Sequence, residues 1–287
     1  RLWNPQKILR KGHDELPFPV ENTGYLPTAY HTAADCKNES KYLFFIHTAA
    51  AHFRHREILR SCLLNRNFST HYRWTTVFFV GLSPNNKTTT YRVNEEASQH
   101  GDVVVLPYRD VYRNLTYKFV YGMKWTIENC PSVKYIVKMD DDFVVNVLKV
   151  MDYLDRLPKD DKLAFHCLVY RNSHVERNAS SKWYLPEKTY RKRIYPQYCT
   201  GGSIMFSGRA LRGLYNASFS LPFHGIDDVY VTGEASLVAG VRLISISKLY
   251  SFGKNSHSKA TSGKVMFAQV HSHTDRASAW KTISKSL

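Results

Sequence analysis

Several absences narrow the class of this chain before any motif is read. No stretch of its 287 residues stays apolar for the roughly 18 positions a membrane span needs. The five cysteines, Cys36, Cys62, Cys130, Cys167 and Cys199, form no CxxC pair, which leaves structural zinc and thioredoxin-type chemistry unsupported. Five is odd, so at least one thiol is free or bonds another chain, and spacing does not give the connectivity. There is no zinc-finger spacing, RNP motif, basic arm or long uniform run of basic residues, so nucleic acid is not the expected partner of a formal net charge of +16. That charge suits phosphorylated ligands and acidic membrane or glycan surfaces, or is a solvated basic surface. Internal repeats and low-complexity segments are also missing, and at 22% charged residues wholesale disorder is excluded.

What is present is enough apolar material, 43% of residues with 14% aromatic, to bury one large domain or two small ones. N-x-[ST] sequons stand at Asn38, Asn67, Asn86, Asn114, Asn178 and Asn216. Chance would give about two, so the excess points to the secretory pathway, where disulfides also persist. The chain begins at Arg1, without Met, signal peptide or anchor, and is expected to be a mature or truncated luminal portion with a membrane anchor upstream.

Residues 1–40 carry Pro5, Pro17, Pro19 and Pro27 and little periodicity, and are expected to be an extended lead-in or stem remnant. Short apolar runs then alternate with helical patterns. Strands are expected at Tyr42–Ile46, Thr76–Val80, Asp102–Leu106 and Val133–Lys138. Helices are expected at His52–Leu64, Val93–Gln99, Asn114–Glu128 and Asn146–Leu157, with a loop at Pro84-Asn85-Asn86. This alternation argues for a largely parallel α/β sheet. Later come a glycine-led strand at Gly201–Ser207, helices at Arg209–Tyr215 and Asp227–Ala239, and strands at Val241–Ile246 and Val265–Val270.

Four groups of residues carry chemistry. Asp140-Asp141-Asp142 follows a buried strand, the end at which open α/β sheets bind ligands. Three adjacent carboxylates repel one another, and a hard divalent cation with oxygen ligands relieves that repulsion and can bridge phosphate oxygens. The plain alternative is a solvated acidic turn or helix cap. Asp227-Asp228 precedes a helical pattern, so one carboxylate could serve as general base or merely cap the helix. His271, after an apolar strand, could reach the same metal. His52 to Arg60 is basic, with Arg56 and Arg60 suited to phosphate or uracil recognition or to an exposed helix face.

In this order the segments resemble the β-1,3-glycosyltransferase family of β-1,3-galactosyltransferases, β-1,3-N-acetylglucosaminyltransferases and, more distantly, fringe proteins. The likeness spans about Tyr42 to Trp280. Arg56-Glu57-Ile58-Leu59-Arg60-Ser61-Cys62 is similar to that family's R-x-x-I-R-x-[ST]-W, shifted by one residue. Phe78-Phe79-Val80-Gly81 is similar to F-L-L-G, and Asp110 to Lys118 to D-x-Y-x-N-L-T-x-K. Lys138 to Asn146 resembles K-x-D-D-D-x-x-x-N. Lys182-Trp183, Tyr195 to Cys199 and Gly201 to Ser207 resemble a W…YP-x-Y-x-x-G-x-x-x-x-S stretch, Asp227 to Tyr230 an [ED]-D-V-Y motif, and Val270-His271-Ser272 a V-H-[SR] motif. Thr232 before Gly233, and Glu234-Ala235-Ser236 after it, depart from the family's usual run.

The resemblance implies a single GT-A-type α/β domain over residues 41–287, with a central, mostly parallel mixed sheet flanked by helices. Residues of about 41–160 would serve the nucleotide and 161–287 the acceptor. It implies inverting transfer from a UDP-sugar to the 3-hydroxyl of a glycan on a glycoprotein or glycolipid, with Mn2+ or Mg2+, in the Golgi lumen. Asp142 and His271 would hold the metal, and Asp228, with Asp227, would supply the base. Asp140, Asp141, Arg56, Arg60, Lys118, Gly201 and Gly202 would bind the nucleotide sugar, and Lys182, Trp183 and Tyr198 would line the donor or acceptor sugar. A metal-dependent phosphohydrolase and a catalytically silent glycan-binding lectin are the rival readings. Donor sugar, acceptor and oligomeric state are left open.

Overall fold

The computed structural model describes residues 32–36, 40–158 and 163–287. Most of the expected lead-in, and the sequon at Asn38, lie outside the described residues.

The chain centre is β1 (Tyr42–His47), all six residues of which are buried. β1 lies between β2 (Trp74–Leu82) and β4 (Tyr135–Asp140), parallel to both, and β3 (Val103–Arg109) extends the parallel part beyond β2. On the other side, β9 (Ser203–Ser207) runs antiparallel between β4 and β6 (Ala164–Cys167), and β10 (Arg242–Ser245) closes the edge parallel to β6. The sheet is thus seven-stranded and mixed, mostly parallel, as expected from the strand–helix alternation.

Period-two alternation along β1 divides the core between the two faces. Tyr42, Phe44 and Ile46 pack with Ile58, Leu59 and Leu63 of α1 (Phe53–Leu63) and with Trp280 and Ile283 of α9 (His273–Ser284). Leu43 and Phe45 pack with Phe119, Val120 and Met123 of α4 (Leu115–Asn129). Both faces are covered, which is why these strands read as continuous apolar runs. Gly122 is required by this arrangement, because a Cβ there would stand 2.3 Å from the Phe45 ring.

Several boundaries differ from the sequence reading. α2 (Arg66–Tyr72) was not foreseen, and α3 (Lys87–His100) starts six residues early because the Asn86 side chain caps it by accepting from Thr89 N. β4 runs on through Asp140. The strand at Val265–Val270 shrinks to β12 (Phe267–Gln269). It leaves the main sheet to pair with β5 (Phe143–Val145) and β11 (Tyr250–Ser251). The helix expected over Asp227–Ala239 is a π-helix, Val229–Ala235, followed by one α-turn. Thr232 Oγ1 donates to Asp228 O at 2.5 Å and Ser236 Oγ to Thr232 O at 2.5 Å, so side-chain hydroxyls compete with the regular ladder and open it.

Cys36–Cys130 and Cys167–Cys199 are disulfides, and Cys62 is a buried thiol pushed up to about 12 by burial. Asn67, Asn86, Asn178 and Asn216 are exposed, whereas Thr116 of the Asn114 sequon is buried and donates to His224 O at 2.8 Å. Among the described residues no helix is long and apolar enough to cross a membrane.

Candidate active site

The strand order places β2 and β4 on opposite sides of β1, so a crevice opens beyond their carboxyl ends. There His47 closes β1 directly opposite Asp140 at the end of β4. The acidic triplet is held from both sides: Asp140 N donates to Gly202 O at 2.9 Å and Asp141 N to His47 O at 3.1 Å.

The three carboxylates have three environments. Asp140 faces Lys138, whose buried ammonium donates to its Oδ1 at 2.8 Å and also to Gly201 O. Burial nevertheless raises Asp140 to about 7, with the Asp142 and Asp227 charges adding to it and Lys138 opposing. Asp141 is buried, which alone would raise it. Hydrogen bonds with His52 Nδ1 at 2.8 Å and from Thr48 Oγ1 at 2.5 Å outweigh burial and hold it below the usual carboxylate range. Asp142 accepts from Gln269 Nε2 at 2.8 Å, and its Oδ2 lies 3.9 Å from His271 Nδ1.

The second carboxylate pair comes from the loop before the π-helix. Gly225 lets this loop close on the segment before α4, since a Cβ there would stand 1.9 Å from Arg113 O. Asp228 accepts from Val229 N at 2.8 Å and lies against Gly201, where a Cβ would be 3.5 Å from its Oδ2. Burial first, and then the charge of Asp227, raise Asp228 to about 7. Asp227 Oδ2 is 3.8 Å from His47 Nδ1, and burial together with Lys138 and Lys118 keeps His47 well below its ordinary pKa and therefore neutral.

One cleft of about 660 Å³ joins most of these groups, although Asp141 and His271 do not line it. Asp140, Asp142, Asp227, Asp228, Gly201 and Gly202 line it, and so do Lys182, Trp183 and Tyr198. Most of the residues singled out in the sequence therefore meet in one place. Gly202 packs so closely that a Cβ would stand 2.3 Å from the Phe143 ring, which holds the end of the triplet against β9.

Arg56, Arg60 and Lys118 do not reach the cleft. Arg56 is 0% exposed and donates to Glu96 at 2.6 Å and to the carbonyls of Ala49 and Ala50 at 2.8 and 3.2 Å. Arg60 forks onto Asp102 at 2.7 and 2.8 Å and also reaches Glu96 at 2.6 Å. Buried Lys118 donates to Thr48 O at 2.7 Å and to Asp110 at 3.1 Å. Close like residues in the sequence looked like a phosphate clamp; in the fold Arg56 and Lys118 brace the loop after β1, which carries Thr48 and His52 to Asp141, and Arg60 holds Glu96, the partner of Arg56. Sequence reading gave no role to Lys138, Thr48, Gln269 or Arg276. Lys138 had a signal, a lone charge inside an apolar strand. Arg276 had none, yet from α9 its buried guanidinium donates to Val270 O and His271 O at 2.5 and 3.0 Å and so fixes the backbone that carries His271.

The donor chemistry fits a divalent ion. Asp142 and His271 are adjacent, partly solvated and placed where the clustered carboxylates otherwise repel, as suits an ion that also takes water and phosphate oxygens. A second set, His52, His55 and Asp141, offers ligand atoms all within 4.8 Å of one another on the other side of the triplet.

Comparison with known proteins supplies the context. The Galactosyltransferase family model matches residues 54–247. Beta-1,3-galactosyltransferase 2 of Pongo abelii is 29% identical over 225 residues, covering 75% of this chain and 53% of that protein. Human N-acetyllactosaminide beta-1,3-N-acetylglucosaminyltransferase 2 is 30% identical over 199 residues, covering 68% and 50%. Lactosylceramide 1,3-N-acetyl-beta-D-glucosaminyltransferase A of Danio rerio is 27% identical over 249 residues, covering 84% and 65%. The chain spans about half the length of the first two of these curated relatives.

Proposed function

The chain belongs to the galactosyltransferase family, and from that premise we propose that it moves a hexose or N-acetylhexosamine, galactose or N-acetylglucosamine favoured, from a UDP-sugar to the 3-hydroxyl of an acceptor glycan with inversion. The relatives' activities motivate the reaction class. The observation that carries the assignment is the half-buried Asp228 carboxylate, raised to about 7, facing the same cleft as the acidic triplet.

Asp228 takes the proton of the acceptor hydroxyl as that oxygen attacks the anomeric carbon from the side opposite the departing diphosphate. Its raised pKa makes it a base strong enough to help and still half-ionised near neutrality. Asp227 sustains that pKa by its charge. Asp140 and Asp141 serve the nucleotide side, with Lys138 and the braced loop after β1 fixing their directions. A Mn2+ or Mg2+ ion held by Asp142 and His271 would neutralise charge building on the diphosphate. Gly201 and Gly202 leave room for the donor sugar beside the triplet, and Trp183, Lys182 and Tyr198 offer faces and hydrogen bonds to sugar rings. We assign the protein to the Golgi lumen, anchored through an upstream segment and acting on glycoprotein or glycolipid acceptors. Residues of about 41–160 serve the nucleotide, and 161–287 the acceptor.

The test is a panel of UDP-sugars with Mn2+, scored by UDP release with and without glycan acceptors. Acceptor-dependent release with one donor class supports the reading. Phosphate released from simple phosphoesters without any acceptor would replace it with a phosphohydrolase. Glycan binding indifferent to EDTA, with no donor turnover, would replace it with a lectin.

A further inference from the structure

A strap runs from β7 (Val169–Tyr170) to β8 (Tyr198–Cys199), which pair antiparallel at its base. The Cys167–Cys199 disulfide locks that base. Farther out, His174 bridges Ile194, and Val175 N donates to Arg193 O at 2.9 Å. Arg177 pins the tip by donating to Leu185 O, to Tyr190 O at 2.6 Å and to Lys192 O at 2.9 Å. The underside, Val175, Leu185, Tyr190 and Tyr195, packs on Val229, the residue after Asp228. The strap is therefore a fixed wall beside the proposed base.

Its composition is lopsided. Between Tyr170 and Tyr195 it carries seven lysines and arginines against two glutamates, Glu176 and Glu187. Arg177 is engaged internally, but Arg171, Lys182, Lys188, Arg191, Lys192 and Arg193 are exposed, with no carboxylate partner among the described residues. Side chains alternate on the bridged pair, so Lys192 shares the face of His174 and Glu176, both of which line the cleft. At the mouth the cations stand over aromatic rings: Lys182 Nζ is 4.5 Å from the Trp183 ring centre and 5.1 Å from that of Tyr112, and Arg113 is 5.5 Å from that of Tyr184. Trp183 is 52% exposed. Tyr112, Lys182 and Trp183 line the same cleft as Asp227 and Asp228, which puts this mouth on the cleft that holds the proposed base. His271 lines an adjoining hollow with Gly253 to His257, while Asp142 lines the same cleft as Lys182.

Exposed aromatic faces take sugar rings, and unpaired cations around them take anions. Resting on the transferase reading above, we propose that the acceptor is an anionic glycan, one whose sugar at or next to the acceptor position carries a carboxylate or a sulfate recognised by Lys182 and Lys192.

The experiment uses two pairs of p-nitrophenyl glycosides: β-glucoside against β-glucuronide, and β-N-acetylglucosaminide against its 6-sulfate. Transfer is measured as kcat/KM at low and at high salt. At least one anionic member should exceed its neutral parent by about tenfold at low salt, and the advantage should shrink as added salt shortens the reach of the charges. The variant Lys192→Glu should remove most of the advantage and leave the neutral parent within about twofold, with the unfolding midpoint unchanged. Equal or preferred use of the neutral member in both pairs overturns the proposal, as does a Lys192→Glu variant that slows both members alike. The pair that responds tells carboxylate from sulfate. Ligand-observed NMR of the same glycosides reads the preference without turnover. If no glycoside receives sugar, the transferase reading is what fails, and the NMR preference, present or absent, still decides the charge.

Discussion

Replacing Asp227 with Asn tests how the base is tuned. Burial and the neighbouring Asp227 charge together raise Asp228 from 3.8 to about 7, burial being the larger cause. Asparagine keeps the shape and removes the charge. The nearby His47 is already neutral, so no ion pair is broken. Losing the smaller of the two causes should lower the pKa by about one unit, roughly 1.4 kcal/mol of differential stabilisation. The sign follows directly: a lower pKa leaves the base ionised at lower pH, so the acid limb of kcat/KM moves from near pH 7 toward pH 6. At pH 6 the variant should reach about half of its own plateau, against about a tenth for the unmodified protein. The assay is UDP release at subsaturating acceptor across pH 5 to 9, in buffers of constant ionic strength. A limb that stays in place or moves upward would refute the tuning role. Complete loss of turnover in this variant, with turnover kept in Asp228→Asn, would exchange the two roles.

Three further outcomes follow from the geometry. Glu96→Ala leaves Arg56 buried without its carboxylate and weakens the hold on Arg60, so denaturant unfolding should show a loss of about 3–5 kcal/mol, and a loss below 1 kcal/mol would show that the network contributes little. His271→Ala should weaken Mn2+ binding, followed by the EPR signal of the free ion, by roughly tenfold or more, and unchanged affinity would move the metal toward His52, His55 and Asp141. Gly202→Ala drives a methyl to 2.3 Å from the Phe143 ring, so the fold should lose about 1–3 kcal/mol and kcat should fall as the triplet shifts; normal kcat would mean that Phe143 moves without taking Asp142 along.

Much of this site was legible in the sequence because the parallel strands are buried on both faces. Runs such as Tyr42–Ile46 and Val133–Lys138 stand out for that reason, and they put Asp140-Asp141-Asp142 at a strand end, where ligands bind. The antiparallel insertion of β9 was not legible, since a strand's direction leaves no trace in its own residues. The π-helix was missed because its cause, Thr232 and Ser236 bonding back to backbone carbonyls, depends on the strand β8 that approaches Gly233. Arg56 and Arg60 were misplaced for a similar reason. Their partners, Glu96 and Asp102, lie about 40 residues on, and a long-range ion pair inside the fold looks the same in sequence as a ligand clamp on its surface. His271 could be picked out as a candidate, but the α9 arginine that fixes its backbone could not.

The most direct test of the central claim is Asp228→Asn, with donor binding and transfer measured on the same preparation. Titration calorimetry with UDP-sugar and Mn2+ should give a dissociation constant near that of the unmodified protein, because the carboxamide keeps the shape of the side chain. Single-turnover transfer to acceptor should fall by about 10²–10⁴-fold, the usual cost of losing a general base. Transfer at an undiminished rate would contradict the account and remove Asp228 from the chemistry.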